Sequence, residues 1–264
     1  MLDFIKAHAY GNAFLYVRRQ DLREIDVPRL ARRMCDRHLG IGADGLIVYD
    51  LTARGASMRL RNADGSGAEV SGNGVRGLAA ILARSRGERS GEPLVIETES
   101  GEKRLTLERL DAGRYTFRAW MGQPAGLREV TLDVQGEQVC AVVLSMGNPQ
   151  CVLLGPLDDA RFRRLGPALE THAAFPEGTN VAFTHVEAPD RLRILIWERG
   201  CGPTRASGTG ACAAAVAAAA YGGASRDVQI VSPGGAQRVE WAPDGLYLTG
   251  WIEIVASGHW LPDD

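Results

Sequence analysis

Apolar residues fall along this chain in short runs broken by Gly, Asn, Asp and Pro. The runs Gly45–Asp50, Leu94–Glu97, Val139–Leu144 and Leu192–Trp197 are β-rich, and some alternate with period two, which predicts strands. Helical signals are few. Val27–Arg37 has Pro28 near its start, and Val75–Arg84 and Ala211–Tyr221 each follow a Ser-Gly-x-Gly turn. The alanine run Ala213–Ala220 is too short to span a bilayer and ends at glycine, so it predicts a buried helix.

The same pattern is written twice. Gly11-Asn12 recurs as Gly147-Asn148, Gly42-Ala43-Asp44 more loosely as Gly178-Thr179-Asn180, and Ser71-Gly72-Asn73-Gly74 as Ser207-Gly208-Thr209-Gly210, each 136 residues on. Asn62 falls at Glu198 by the same shift, a polar match without identity. One dipeptide match means nothing; several in one order at one offset indicate duplication. The expected organisation is two homologous halves, 1–120 and 121–264, divided in the turn Gly122–Gly126, with the last few residues free to pack back on the first half. The expected class is α+β: two similar, pseudo-twofold-related domains, each a mostly antiparallel sheet or open barrel around a helix. Duplicated domains commonly hold a ligand between them, which places it between Ser71 and Ser207.

Composition narrows the chemistry. Hydrophobic residues make up 45% of the 264 and charged residues 23%, which excludes disorder, collagen-like repeats and coiled coil. Thirty basic and 32 acidic residues give a net charge of -2 with no dense Lys/Arg block, so nucleic acid is not an expected partner. The only lysines are Lys6, in a strand-like start, and Lys103, expected in a turn between strands. Neither suggests an anchor for pyridoxal phosphate. Cys35, Cys140, Cys151, Cys201 and Cys212 form no CxxC pair, and no His/Cys/Asp cluster has metal-ligand spacing. Neither cofactor nor metal is expected. The start has no apolar run of signal-peptide length and no stretch approaches a membrane span, so a cytoplasmic chain is expected, with at most a second copy of itself as partner.

Each Ser-Gly-x-Gly turn leads into a helix. Glycines let the backbone approach a ligand, and free N–H groups at a helix start attract anions. Serine there also has a structural role, because its oxygen caps an N–H two or three residues on. Two such turns related by a repeat suit chemistry that needs one group on each face of a carbon. Asn12, Asn62, Asn148, Asn180, Glu198 and Arg199 supply amide, carboxylate and guanidinium groups, the inventory an amino acid's ammonium and carboxylate require.

The segments DRHLGIGADGLIV, RNADGSGAEVSGNGVRG, SMGNPQCV, FPEGTNVAF and WERGCGPTRASGTGACAAAV together resemble the diaminopimelate epimerase family, in order and over almost the whole chain. That resemblance implies a pyridoxal-independent, metal-free enzyme that converts LL- to meso-diaminopimelate, on the way to lysine and peptidoglycan precursors. It implies two domains, each a sheet around a central helix, and a two-base mechanism in which one thiolate removes the α-proton and an opposed thiol returns one. The residues matching Asn62, Asn180, Glu198, Arg199 and the two helix starts (Gly72, Asn73, Gly208, Thr209) would hold the α-amino and carboxyl groups, with Asn12 and Asn148 helping. Glu198 and Asn62 fall at the ammonium end and Arg199 in the distal pocket.

The two family cysteines align with Ser71 and Ser207. The acidic residue usual after the first Gly-Asn is Ala13, and the histidine of the GNPH motif is Gln150. A thiol ionises near pH ~8.5. A serine hydroxyl is several units less acidic, at about 1.4 kcal/mol per unit. Three readings follow: an epimerase with an activated serine or another base, the same scaffold turned to isomerisation or dehydration as in the phenazine-biosynthesis isomerases, or a catalytically silent protein, whether a binder or a chain with both cysteines exchanged for serine.

Overall fold

The structure, a computed structural model, describes residues 1–22, 25–68, 71–87, 91 and 93–261. It divides into two compact units, Met1–Ala119 with Trp251–Asp264, and Trp120–Gly250.

In the first unit, β1 (Leu2–Ala9), β2 (Asn12–Arg18), β3 (Gly45–Thr52), β4 (Gly55–Asn62), β5 (Gly67–Ala68), β6 (Pro93–Thr98), β7 (Gly101–Asp111) and β8 (Arg114–Gly122) accompany helices α1 (Val27–Cys35) and α2 (Gly72–Arg86). Most neighbours are antiparallel, but β2–β3 and β4–β6 run parallel. A parallel pair needs a crossover, and these two crossovers are α1 and α2. The end of the last strand pairs with β1, from Leu2↔Trp260 to His8↔Glu253. The second unit repeats the plan with β9 (Ala125–Val134), β10 (Glu137–Ser145), β11 (Pro149–Leu154), α3 (Asp159–Glu170), β12 (Asn180–Ala188), β13 (Arg191–Glu198), β14 (Gly202–Thr204), α4 (Gly208–Tyr221), β15 (Asp227–Ser232), β16 (Gly235–Ala242) and β17 (Gly245–Trp260). Its parallel pairs, β11–β12 and β13–β15, are again bridged by helices. Strands β4 and β13, and the starts of α2 and α4, keep the 136-residue offset.

The two crossover helices that follow the serines are enclosed. Every residue of α2 from Asn73 to Ala83 is buried, and every residue of α4 from Gly210 to Ala218. A helix surrounded by sheet has no polar face to spare, which explains why α4 is almost uniformly alanine. In α2 the close approach falls at Gly77. The buried Tyr16 hydroxyl crosses the helix there to donate to the Gly74 carbonyl at 3.0 Å, and a Cβ on residue 77 would collide with it.

The four predicted strands are present. Three helix expectations shift at their ends. The first stops at Cys35, because the Asp36 carboxylate accepts the N–H groups of His38 and Leu39, both at 2.7 Å, in a turn that competes with the helix. The other two begin at Gly72 and Gly208, three residues before the expected starts, as the capping serines require. Helix α3 has no counterpart among the expectations: Pro167 inside it reads as a breaker, yet Phe162, Leu165 and Leu169 form its buried stripe. Lys103, expected in a turn, lies in β7 opposite Ile96. Among the described residues no helix is long and apolar enough to cross a membrane.

Candidate active site

Ser71 occupies the N-cap of α2 with extended backbone, and its hydroxyl oxygen accepts the Gly74 N–H at 3.2 Å. Behind it a chain of side chains runs into the first unit. The buried Arg76 guanidinium donates to Asn73 Oδ1 at 2.9 Å, the Asn73 amide donates to Asn12 Oδ1 at 3.2 Å, and Asn12 donates to Asp44 Oδ2 at 2.9 Å. Asp44 also accepts the Ala13 N–H at 2.7 Å and the Arg37 guanidinium at 2.6 Å. Asn12 and Asn73 therefore each have their amide oxygen and one N–H engaged by protein. Asn62, last residue of β4, donates to Ser66 Oγ at 3.0 Å in its own turn. A Cβ on the exposed Gly72 would meet no atom within 4 Å.

The second unit carries the repeat-related set. Ser207 caps α4, is 5% exposed, and accepts the Gly210 N–H at 3.3 Å. Its hydroxyl lies beside the carboxylate of Glu198, the last residue of β13. Burial pushes the Glu198 carboxyl above the ordinary glutamate range, outweighing the opposite pull of the Ser207 and Thr204 hydroxyls. Thr204 Oγ1 is buried without a well-formed hydrogen bond, so its influence on Glu198 is one of proximity. Asn180 donates to the Pro149 carbonyl at 3.1 Å and accepts the Arg199 N–H at 3.1 Å. Gln150, 1% exposed, donates to Asn148 Oδ1 at 2.7 Å while its own Oε1 has no partner. That bond occupies the Asn148 oxygen and leaves the NH2 as the donor end of its amide. Arg199 is exposed; its guanidinium donates to the Glu177 carbonyl at 2.8 Å, and its stem passes over Gly178. Thr209 and Gly208 lie half-buried at the helix start.

The family described as diaminopimelate epimerase matches residues 4–125 and 142–255. The chain belongs to the diaminopimelate epimerase family. It is 43% identical to the diaminopimelate epimerase of Desulforudis audaxviator, covering 98% of this chain and 99% of that one. With that of Moorella thermoacetica it shares 40%, over 99% and 100%. Solved structures share the fold at much lower identity. A phenazine biosynthesis protein from Bacillus anthracis, 14% identical, superposes with a TM-score of 0.74 over 99% of both chains. A hydroxyproline epimerase from Agrobacterium vitis, also 14% identical, superposes at 0.70 over 97% of this chain and 91% of that one. As a diaminopimelate epimerase family member the chain is an isomerase by descent, with an amino acid as the substrate class and the α+β fold expected of it.

Within each unit the structure joins part of the expected set by hydrogen bonds, Asn12 with Asn73 and Asn180 with Arg199, and sets Glu198 beside Ser207. Asn62 bonds within its own turn. Sequence reasoning did not pick out Asp44, Arg76 or Thr204 as site residues; only the repeat of Asp44 with Asn180 carried a signal. Among the described residues neither His8 nor His38 hydrogen-bonds Ser71 or Ser207: His8 packs edge-on against Trp251, centroids 5.5 Å apart, and His38 contributes its backbone N–H to Asp36. Cys35, Cys151 and Cys201 are poor thiolates. Burial pushes Cys151 up to about 12, and burial with the Asp44 charge pushes Cys35 up to about 12. Cys201 is raised by burial and by the charges of Glu198 and Glu170.

Proposed function

We propose that this chain inverts the α-carbon of diaminopimelate, LL to meso, by proton transfer between Ser71 and Ser207, with neither pyridoxal phosphate nor metal. The observation that carries the reading is the pair of capping serines: each stands at the first turn of an enclosed helix, at repeat-related positions, in a chain of this family. The N–H groups of Gly72, Asn73, Gly208 and Thr209 remain at the two helix starts for a carboxylate, where backbone donors and the helix dipole favour negative charge. Asn148, with its oxygen held by Gln150, is a donor toward the same ligand. Glu198 and Asn62 serve the ammonium end. Arg199, exposed at the rim, serves the distal carboxylate.

Ser71 and Ser207 take the place of two thiols, so the proton transfers are slower than those of a thiolate pair. The test is solvent deuterium incorporation into LL-diaminopimelate by this protein and by its Ser71→Cys/Ser207→Cys variant. Exchange and inversion by the native chain support the reading. Exchange only by the double-cysteine variant identifies a silent epimerase, and no exchange by either favours other chemistry on the same scaffold.

A further inference from the structure

We infer that Asp44 and Arg76 are positioning residues for ligand binding: they close the two ends of a relay of amides that locks Asn12 as a hydrogen-bond donor toward an acceptor oxygen of the ligand. The inference rests on the reading of Asn12 as a ligand contact and adds the sense of its amide and the groups that hold it.

Every link of the relay has a single sense. A guanidinium carries donors only and a carboxylate acceptors only, whereas an amide between them can be turned either way round. Arg76, 2% exposed, donates to Asn73 Oδ1 at 2.9 Å, so the Asn73 nitrogen is the end that reaches Asn12 Oδ1, at 3.2 Å. Asn12 is thereby left with its nitrogen toward Asp44, where it donates to Oδ2 at 2.9 Å. Turning Asn12 over would set its oxygen against the Asp44 carboxylate. Turning Asn73 over would set its nitrogen against the guanidinium. Both amides are locked, and the second N–H of Asn12 is the group left for a ligand.

Asp44 is itself tied to the strand that carries Asn12. Its carboxylate accepts the Ala13 N–H at 2.7 Å, its own N–H donates to the Ala13 carbonyl at 2.8 Å, and Arg37 holds the other carboxylate oxygen at 2.6 Å. The repeat supplies an independent observation. Asn148, which stands 136 residues after Asn12, also has its oxygen taken by a protein N–H, from Gln150 at 2.7 Å. Thr209 stands where the first unit has Asn73 and has no amide to give, so a different residue makes the bond. Two repeat-related asparagines are thus fixed in the same sense by unlike neighbours, which points to the donor sense itself as what both positions require.

Side-chain amide signals and ligand affinity together test the relay. In nitrogen-15 spectra the Asn12 and Asn73 amide protons should exchange slowly with solvent. Asp44→Ala should abolish that protection at Asn12, whereas Asp44→Asn should keep it, because the Ala13 N–H holds the new amide oxygen in place of Oδ2. Calorimetric affinity for LL-diaminopimelate should fall about 10–100-fold in Asp44→Ala and less than about tenfold in Asp44→Asn. Asn12→Ala should cost as much as Asp44→Ala, and the double variant no more than either alone. Unchanged affinity in folded Asp44→Ala, or losses that add with Asn12→Ala, would overturn the inference and leave Asp44 a structural residue. If Asp44→Ala does not fold, Asn73→Asp replaces it: the change is isosteric and turns the middle donor into an acceptor, so the same losses are expected and their absence overturns the relay. If neither the native chain nor Ser71→Cys/Ser207→Cys binds LL-diaminopimelate, the diaminopimelate reading falls, and the amide signals alone decide the relay: protection lost in Asp44→Ala and kept in Asp44→Asn supports it, and an unprotected Asn12 in the native chain sinks it.

Discussion

Asn180 donates its amide N–H to the carbonyl of Pro149 at 3.1 Å, where the repeat-related Asp44 accepts the N–H of Ala13 at 2.7 Å. The polarity is reversed because proline has no N–H to give, so the second oxygen of a carboxylate at 180 would face a carbonyl. The exchange extends one step further. Asn180 Oδ1 takes the Arg199 N–H, while in the first unit the corresponding Ala63 N–H goes to the Asp44 backbone carbonyl, since the Asp44 carboxylate is already engaged. One scaffold position is thus solved twice with different chemistry.

Asn180→Asp should therefore destabilise by about 1–3 kcal/mol, the cost of a buried polar group left facing a like partner. Adding Pro149→Ala should recover part of the loss by restoring the donor. Denaturant midpoints of the two single variants and the double variant give the coupling, and strictly additive losses would contradict this account.

Asp44→Ala should cost about 1.5–3 kcal/mol or more, since a carboxylate serving Asn12, Ala13 and Arg37 leaves donors unmet when removed. The loss should be visible in thermal unfolding, and ligand affinity should fall with it as Asn12 loses its anchor.

Glu198→Gln should be more stable than the native chain at neutral pH. A carboxyl whose folded pKa is raised contributes stability that is fully present below its unfolded value and is lost as pH rises through the folded one. The glutamine variant avoids that loss, so its advantage should shrink as pH falls and disappear below the ordinary glutamate range. Unfolding curves at pH 4 and pH 8 check the sign.

Gly77→Ala should destabilise by about 1–3 kcal/mol through overpacking against Tyr16, despite alanine's better helix propensity. If the midpoint instead rises, the Tyr16 hydroxyl does not lie across α2 as described.

Ser71→Cys/Ser207→Cys should raise α-proton exchange by roughly three to four powers of ten near neutral pH. Each unit of acidity gained is worth about 1.4 kcal/mol, and helix starts favour the thiolate further. Mass-spectrometric deuterium counting at equal protein concentration measures it.

The duplication, the strands and the two serine-led helices could be read from the sequence because each is a local signal: period-two apolar runs, a recurring offset, and a capping serine before glycines. The exact ends of helices were not, since Asp36 ends α1 with bonds to backbone two and three residues on. Helix α3 was hidden for a related reason: Pro167 breaks the local signal, while Phe162, Leu165 and Leu169 supply the packing that holds the helix.

The site divides the same way. Its residue types, its serines in place of cysteines and its family follow from the order of residues alone, because motif and spacing are properties of the chain. The path from Arg76 through Asn73 and Asn12 to Asp44 joins three segments that only sheet pairing brings together. The meeting of Glu198 with Ser207 likewise depends on the β13–β14 turn, and the elevated basicity of that carboxylate depends on burial. Burial and hydrogen-bond direction are set by neighbours distant in sequence, so only the folded chain determines which polar groups are already engaged and which can act.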